Sequence, residues 1–96
     1  MKHFTALSNF IDNQRASMVG LQRLLTSFPA LDPGSGGKGE LAKCTALEGW
    51  LREKGFTSLK RYDCPDPRAE GGIRPNLVAE VEGRDTSRSI WVMSHL

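Results

Sequence analysis

An apolar stripe in the first third of the chain restricts its fold more than any other feature. Large apolar residues recur there three and four positions apart, with one polar interruption at Gln14. The set comprises Phe4, Leu7, Ile11, Met18, Leu21, Leu25 and Phe28. This spacing lines the side chains along one side of a single helix, which Pro29 ends or kinks because proline lacks the amide hydrogen. The stripe spans too few heptads for a coiled coil, so it predicts a helix face that packs on a core.

A second helix is predicted over residues 40–54, after a loop rich in turn residues. Its apolar positions recur at helical spacing, and Gly55 suits the left-handed residue that closes a helix. The loop at residues 32–39 is predicted to be exposed because glycine and proline dominate it. It lacks both the first glycine of a phosphate-binding loop and the serine or threonine after Lys38, so phosphate binding is not expected.

Three strands are predicted in the second half of the chain, at residues 57–63, 76–82 and 89–94. In the second of these, Leu77, Ala79 and Val81 alternate with polar residues, which is typical of a half-buried strand. The third is a nearly continuous apolar run that includes Trp91, which is typical of a strand covered on both faces in the middle of an α/β sheet. The predicted fold class is therefore α/β, with two helices followed by about three strands.

Composition and charge exclude several classes of protein. The chain has 39% hydrophobic and 25% charged residues, as ordinary globular proteins do. Its net charge of +2 is too small and too dispersed to predict a nucleic-acid or membrane partner. No secretory signal is recognisable, so a cytoplasmic location is expected, with Cys44 and Cys64 as unpaired thiols rather than a disulfide or zinc ligands. The arginines are scattered, which predicts a solvated surface.

His95 follows the third predicted strand, and this position is the main functional clue. Open α/β sheets bind their ligands at the carboxyl ends of strands. Zinc, however, requires three or four nitrogen, oxygen or sulfur donors in a near-tetrahedral array, and no other donors are arranged around His95 in the sequence. From spacing alone, a hydrogen-bonded structural histidine is the commoner interpretation, and His3 is a poor second candidate because it lies near a terminus.

Six short motifs, taken in order, resemble the start of an M20 family zinc metallopeptidase or deacylase. They are FPAL (28–31), GGKGE (36–40), LEGWL (47–51), GF (55–56), RPNLVA (74–79) and WVMSHL (91–96). The resemblance extends over essentially the whole chain, and it depends on the order and spacing of the motifs more than on any one of them. It implies a hydrolase-like zinc-peptidase fold of the α/β class.

The resemblance also implies a role for one residue, His95, as the first ligand of a site for one or two zinc ions. In the family an aspartate follows this histidine by two positions, and residues two apart on a strand point to the same side. If the resemblance holds, that position, the general base and the remaining ligands would lie beyond Leu96, as would a smaller lid or dimerisation domain. Residues 1–96 would then be the N-terminal part of a catalytic domain that hydrolyses amide bonds of peptides or N-acyl amino acids, inactive alone and without a catalytic residue of its own.

The alternative hypothesis is a small α+β protein-interaction module without catalytic activity. An unpaired strand edge or the apolar helix stripe would then bind another protein or a second copy of the chain. Self-association is compatible with both hypotheses, because an incomplete sheet would also expose apolar surface.

Overall fold

A computed structural model describes residues 2–96, which form three α-helices and four short β-strands. The helices are α1 (Phe4–Asp12), α2 (Arg15–Thr26) and α3 (Leu41–Glu53), and the strands are β1 (Ser58–Arg61), β2 (Cys64–Pro65), β3 (Ile73–Arg74) and β4 (Leu77–Glu80). Short 3-10 turns occupy Pro33–Ser35 and Glu70–Gly72. The mixed α/β class is confirmed. Within residues 2–96, no helix has both the length and the apolar character needed to cross a membrane.

The first predicted helix is divided in two, so the prediction of a single helix is wrong. A turn at Asn13 and Gln14 separates α1 from α2, and the Gln14 amide donates to the Ile11 carbonyl at 2.9 Å. Aspartate and asparagine have low helix propensity because their side chains compete for backbone hydrogen bonds, and Asp12 and Asn13 are adjacent here. The division falls at the one polar interruption of the stripe.

Helix α3 agrees with the predicted helix to within one residue at each end. Gly55 adopts a φ of 96°, and the Phe56 amide donates to the Leu51 carbonyl at 3.0 Å, which closes the helix as expected. Among the helices, α2 and α3 pack against each other. The chain then turns into β1.

The four strands form one antiparallel ribbon. β1 pairs with β4, so that Ser58 lies opposite Glu80 and Arg61 lies opposite Leu77. β2 pairs with β3 in the same sense. Reciprocal backbone hydrogen bonds between Tyr62 and Asn76, of 2.8 and 3.2 Å, join the two pairs. The predicted strands at residues 57–63 and 76–82 are therefore confirmed, although both are shorter than predicted.

The third predicted strand, at residues 89–94, is wrong. These residues form no regular structure and make no backbone hydrogen bond to β4. Trp91, predicted to lie in the core, is 73% exposed, and Val81, on the predicted buried face of the strand at residues 76–82, lies after the end of β4 and is 75% exposed. A strand with two apolar faces needs a covering layer on each side, whereas the helices here pack mainly on one another rather than on the ribbon.

Little of the described chain is shielded from solvent. Cys44 of α3 is its one fully buried side chain. The accessible surface is 8009 Å², against about 5,500 Å² expected for a compact monomer of 10.6 kDa. The Cα radius of gyration is 16.2 Å, against about 12.5 Å for a compact domain of this length. Much apolar surface therefore has no covering element within residues 2–96.

Candidate functional site

A groove of about 550 Å³ separates β4 from the C-terminal segment, which we define as residues 89–96. One wall is formed by residues 74–79 and the opposite wall by residues 90–96. Glu40, just before α3, and Leu47 within α3 complete the lining. The groove is therefore built from the three parts of the chain that follow the glycine-rich loop.

His95 lies in the wall formed by the C-terminal segment, where its side chain is exposed. It does not follow a strand, because residues 89–94 are irregular. Among residues 2–96, no three histidine, cysteine, aspartate or glutamate side chains come together as a metal site would require. Since zinc takes three or four such donors, the described residues do not form a zinc site on their own.

Five charged side chains form an ion-pair cluster at one end of the groove, with Arg74 at its centre. We call this the Arg74 cluster, and its members are Asp32, Glu40, Asp66, Arg68 and Arg74. Arg74 Nε donates to Glu40 Oε2 at 2.8 Å, and its Nη1 donates to Asp32 Oδ1 at 3.0 Å. Arg68 forms a two-point contact with Asp66 at 3.1 Å for each hydrogen bond. The cluster thereby ties the loop before α3 to the loop between β2 and β3.

The ion pairs keep these groups charged. The hydrogen bond from Arg74 lowers the pKa of Glu40, against the opposing effect of its burial, and the hydrogen bond from Arg68 lowers the pKa of Asp66. The pKa of Arg74 is raised mainly by its hydrogen bond to Glu40. A carboxylate that is both paired and of low pKa is a weak proton acceptor, so Glu40 is not suited to act as a general base near neutral pH.

The sequence did not reveal the Arg74 cluster. The scatter of the arginines along the chain predicts solvated side chains, Arg74 included, and no motif gives Asp32 or Glu40 a site role. Their partners lie 42 and 34 positions away in the chain, so no local spacing signals the contact. Arg61 is likewise paired rather than solvated, since its guanidinium donates to Glu48 Oε2 at 2.8 Å.

The glycine-rich loop turns its amides inward. The amides of Gly36, Gly37 and Gly39 donate to carbonyls of Pro33, Asp32 and Leu31, at distances of 3.0–3.1 Å. A Cβ on Gly37 would collide with the Leu31 carbonyl, so only glycine fits this closed loop. These amides are already paired and do not form a phosphate cradle.

Both cysteines carry unpaired thiols, as predicted. Cys44 is fully buried in α3, and burial raises the pKa of its thiol. Cys64 is exposed in β2. A buried thiol of raised pKa is unreactive, so Cys44 serves packing rather than chemistry.

Comparisons of the chain with protein-family models, with curated proteins and with solved structures give no match. The M20 hypothesis therefore depends on the sequence motifs and on where their residues lie around the groove.

Proposed function

We propose that residues 1–96 are the N-terminal part of the catalytic domain of a zinc-dependent M20-type hydrolase. Its substrates would be peptides or N-acyl amino acids, and the bond cleaved would be an amide. The observation that supports this proposal is the convergence of four M20-like motifs on one groove. Glu40 of GGKGE, Leu47 of LEGWL, the RPNLVA strand and the WVMSHL segment all line it, although they span residues 40–96.

The size and lining of the groove suit such a substrate. Its volume of about 550 Å³ falls within the roughly 300–1,000 Å³ typical of small-molecule sites. Apolar side chains such as Leu47 and Leu77 would contact an acyl or side-chain group. Arg74 is held by Glu40 and Asp32, so it would shape the rim of the site rather than bind a substrate carboxylate.

His95 would contribute one zinc ligand, and the remaining ligands would come from residues outside positions 1–96. When bound, zinc would supply the Lewis acid for amide hydrolysis. Because one histidine does not hold zinc firmly, the 96-residue chain alone is expected to be inactive.

The test substitutes a histidine in the native product. The variant protein is purified with an antibody against this segment and assayed for hydrolysis of dipeptides and N-acetyl amino acids. We expect His95→Ala to lower bound zinc, measured by elemental analysis, and to lower activity by at least about 100-fold. The matched control is His3→Ala, because His3 does not line the groove and its substitution should leave both values unchanged. Equal zinc content and activity in the two variants would contradict the proposal.

A second candidate function, a protein-interaction module, is favoured by the exposed apolar side chains of the C-terminal segment. Ile90, Val92 and Met93 are almost fully exposed beside β4, whose edge toward the groove is unpaired. An extended apolar peptide could add to that edge by backbone hydrogen bonding. A native product that lacks both bound zinc and amide hydrolysis would favour this function over the first.

A further inference from the structure

The helical part of the chain, residues 2–53, is connected to the ribbon, residues 58–80, through the short segment 54–57. The main contacts between elements lie within each part, so the ribbon does not pack extensively on any helix. Within residues 2–96, one backbone hydrogen bond crosses between the two parts, from the Glu70 amide to the Lys38 carbonyl at 2.7 Å. The ribbon therefore docks on the helices mostly through side chains.

Two arginines of the ribbon supply the side-chain hydrogen bonds between the two parts. Among the described residues, every such bond is donated by Arg61 or Arg74. Arg61 donates to Glu48 Oε2 at 3.1 and 2.8 Å and to Thr45 Oγ1 at 3.0 Å. Arg74 donates to both carboxylate oxygens of Glu40. Hydrogen bonds between two charged groups are stronger than neutral ones, so these two arginines dominate the docking.

The carboxylates that accept from the two arginines lie on one face of α3. Glu40 is the N-cap of α3, and Glu40, Cys44 and Glu48 are spaced four apart, so each lies one turn from the next. The fully buried Cys44 is therefore placed between the two ion pairs, on the face toward the ribbon. Burial raises the pKa of its thiol most, and the charges of Arg61 and Asp63 in the ribbon act on that pKa as well. Access to Cys44 thus reports whether the ribbon is docked.

The docking of the ribbon also sets the width of the groove. Glu40 and Leu47 line the groove from the helical part, whereas residues 74–79 line it from the ribbon. Movement of the ribbon away from α3 would widen the groove and uncover Cys44. The connecting segment suits a hinge, because hinges are commonly a few residues at the end of an element, and Gly55 there has a φ of 96°.

We infer that the ribbon is a flap that is held closed on α3 by Arg61 and Arg74 and is hinged at residues 54–57. Opening breaks the two arginine ion pairs and exposes Cys44, while α2 and α3 stay packed on each other. The arginine side chains are 23 and 30% exposed, so dissolved ions screen the pairs in part. Opening therefore costs less free energy than unfolding of the whole chain, as local openings in proteins do. The inference does not depend on the hydrolase proposal, because neither zinc nor His95 takes part in it.

Thiol labelling of the 96-residue chain tests the inference. With Cys64→Ser as the parent chain, N-ethylmaleimide modifies Cys44 alone, and mass spectrometry gives the rate. Arg61→Gln and Arg74→Gln should each raise this rate by about tenfold or more, because each removes charged hydrogen bonds between ribbon and helices. Unchanged rates in both variants would overturn the inference.

The matched control for Arg61→Gln is Arg52→Gln. Arg52 donates to the same carboxylate of Glu48, at 3.2 Å, but it belongs to α3 itself and does not reach the ribbon. Its substitution should therefore not raise the labelling rate of Cys44. An equal rise in Arg52→Gln would mean that the helix, rather than the docking of the ribbon, protects the thiol, and would overturn the inference.

Urea and salt separate opening of the flap from unfolding of the chain. Labelling through a local opening depends little on urea, whereas labelling through complete unfolding follows the steep urea dependence of the helical circular dichroism. Raising salt from about 0.05 to about 1 M should speed labelling in the parent chain, because screening weakens the ion pairs, and should have little effect when both arginines are replaced. The inference fails if the parent chain shows the urea dependence of complete unfolding, or if Cys44 already reacts as fast as in the unfolded chain.

Discussion

At the residue scale, Arg74 holds together parts of the chain that no secondary structure connects. Its guanidinium contacts Glu40 before α3 and Asp32 in the glycine-rich loop, while Arg74 itself belongs to β3. Asp66, which is buried, lies 3.7 Å from the same guanidinium. The cluster thus holds this end of the groove together by ion pairs, whereas a more compact protein would use an apolar core.

The stability of the folded chain should fall with acid, partly through Glu40. Its pKa is lowered in the folded state, so the unfolded chain takes up a proton there at higher pH than the folded chain does. The stabilisation is complete above the pKa of the unfolded carboxyl and is lost as pH falls through the lower folded value. Urea midpoints measured at a series of pH values should show this loss, and Glu40→Gln should reduce it. Identical acid slopes in the two proteins would contradict the role assigned to Arg74 and Glu40.

The two cysteines provide a matched pair for testing where the chain is packed. Cys44→Ser places a hydroxyl in a fully buried position and should lower the free energy of unfolding by about 1–3 kcal/mol. Cys64→Ser changes an exposed side chain and should alter it by less than about 0.5 kcal/mol. Urea unfolding under reducing conditions measures both. Equal effects would mean that α3 is not the packed centre of the molecule.

At the element scale, the C-terminal segment differs most from the strand that its sequence predicts, because it lacks backbone hydrogen bonds within residues 2–96. Its amides have no backbone partner among the described residues, whereas those of α3 are hydrogen-bonded within the helix. Hydrogen exchange followed by mass spectrometry should therefore show fast exchange at residues 89–96 and slow exchange across α3. Protection at residues 90–94 comparable to that of α3 would mean that this segment is paired as a strand in solution.

Elements stabilised by nearby contacts were predictable from the sequence, and those that depend on distant contacts were not. Helix α3 and strands β1 and β4 follow from local periodicity and from the turn residues that bound them. The apolar run at residues 89–94 has strand character, but whether it pairs depends on covering layers that a local pattern does not describe. At the candidate site, the sequence singled out His95 and missed Arg74, whose role appears only when loops far apart in the chain meet.

At the scale of the whole molecule, the surplus of exposed surface is the main property to explain. The accessible surface exceeds that of a compact monomer by roughly 2,500 Å². The surplus includes α1 and the C-terminal segment, at two separate places in the fold. Under the hydrolase proposal, further parts of a catalytic domain would cover the second.

The intact mass of the product in its native source, captured with an antibody against this segment, tests the hydrolase proposal most directly. We expect a species several times heavier than 10.6 kDa, with an aspartate two positions after His95. Such a product would supply the missing zinc ligands and cover the C-terminal segment. A native product of 10.6 kDa would leave His95 without further ligands and would contradict the proposal, in favour of a protein-interaction module.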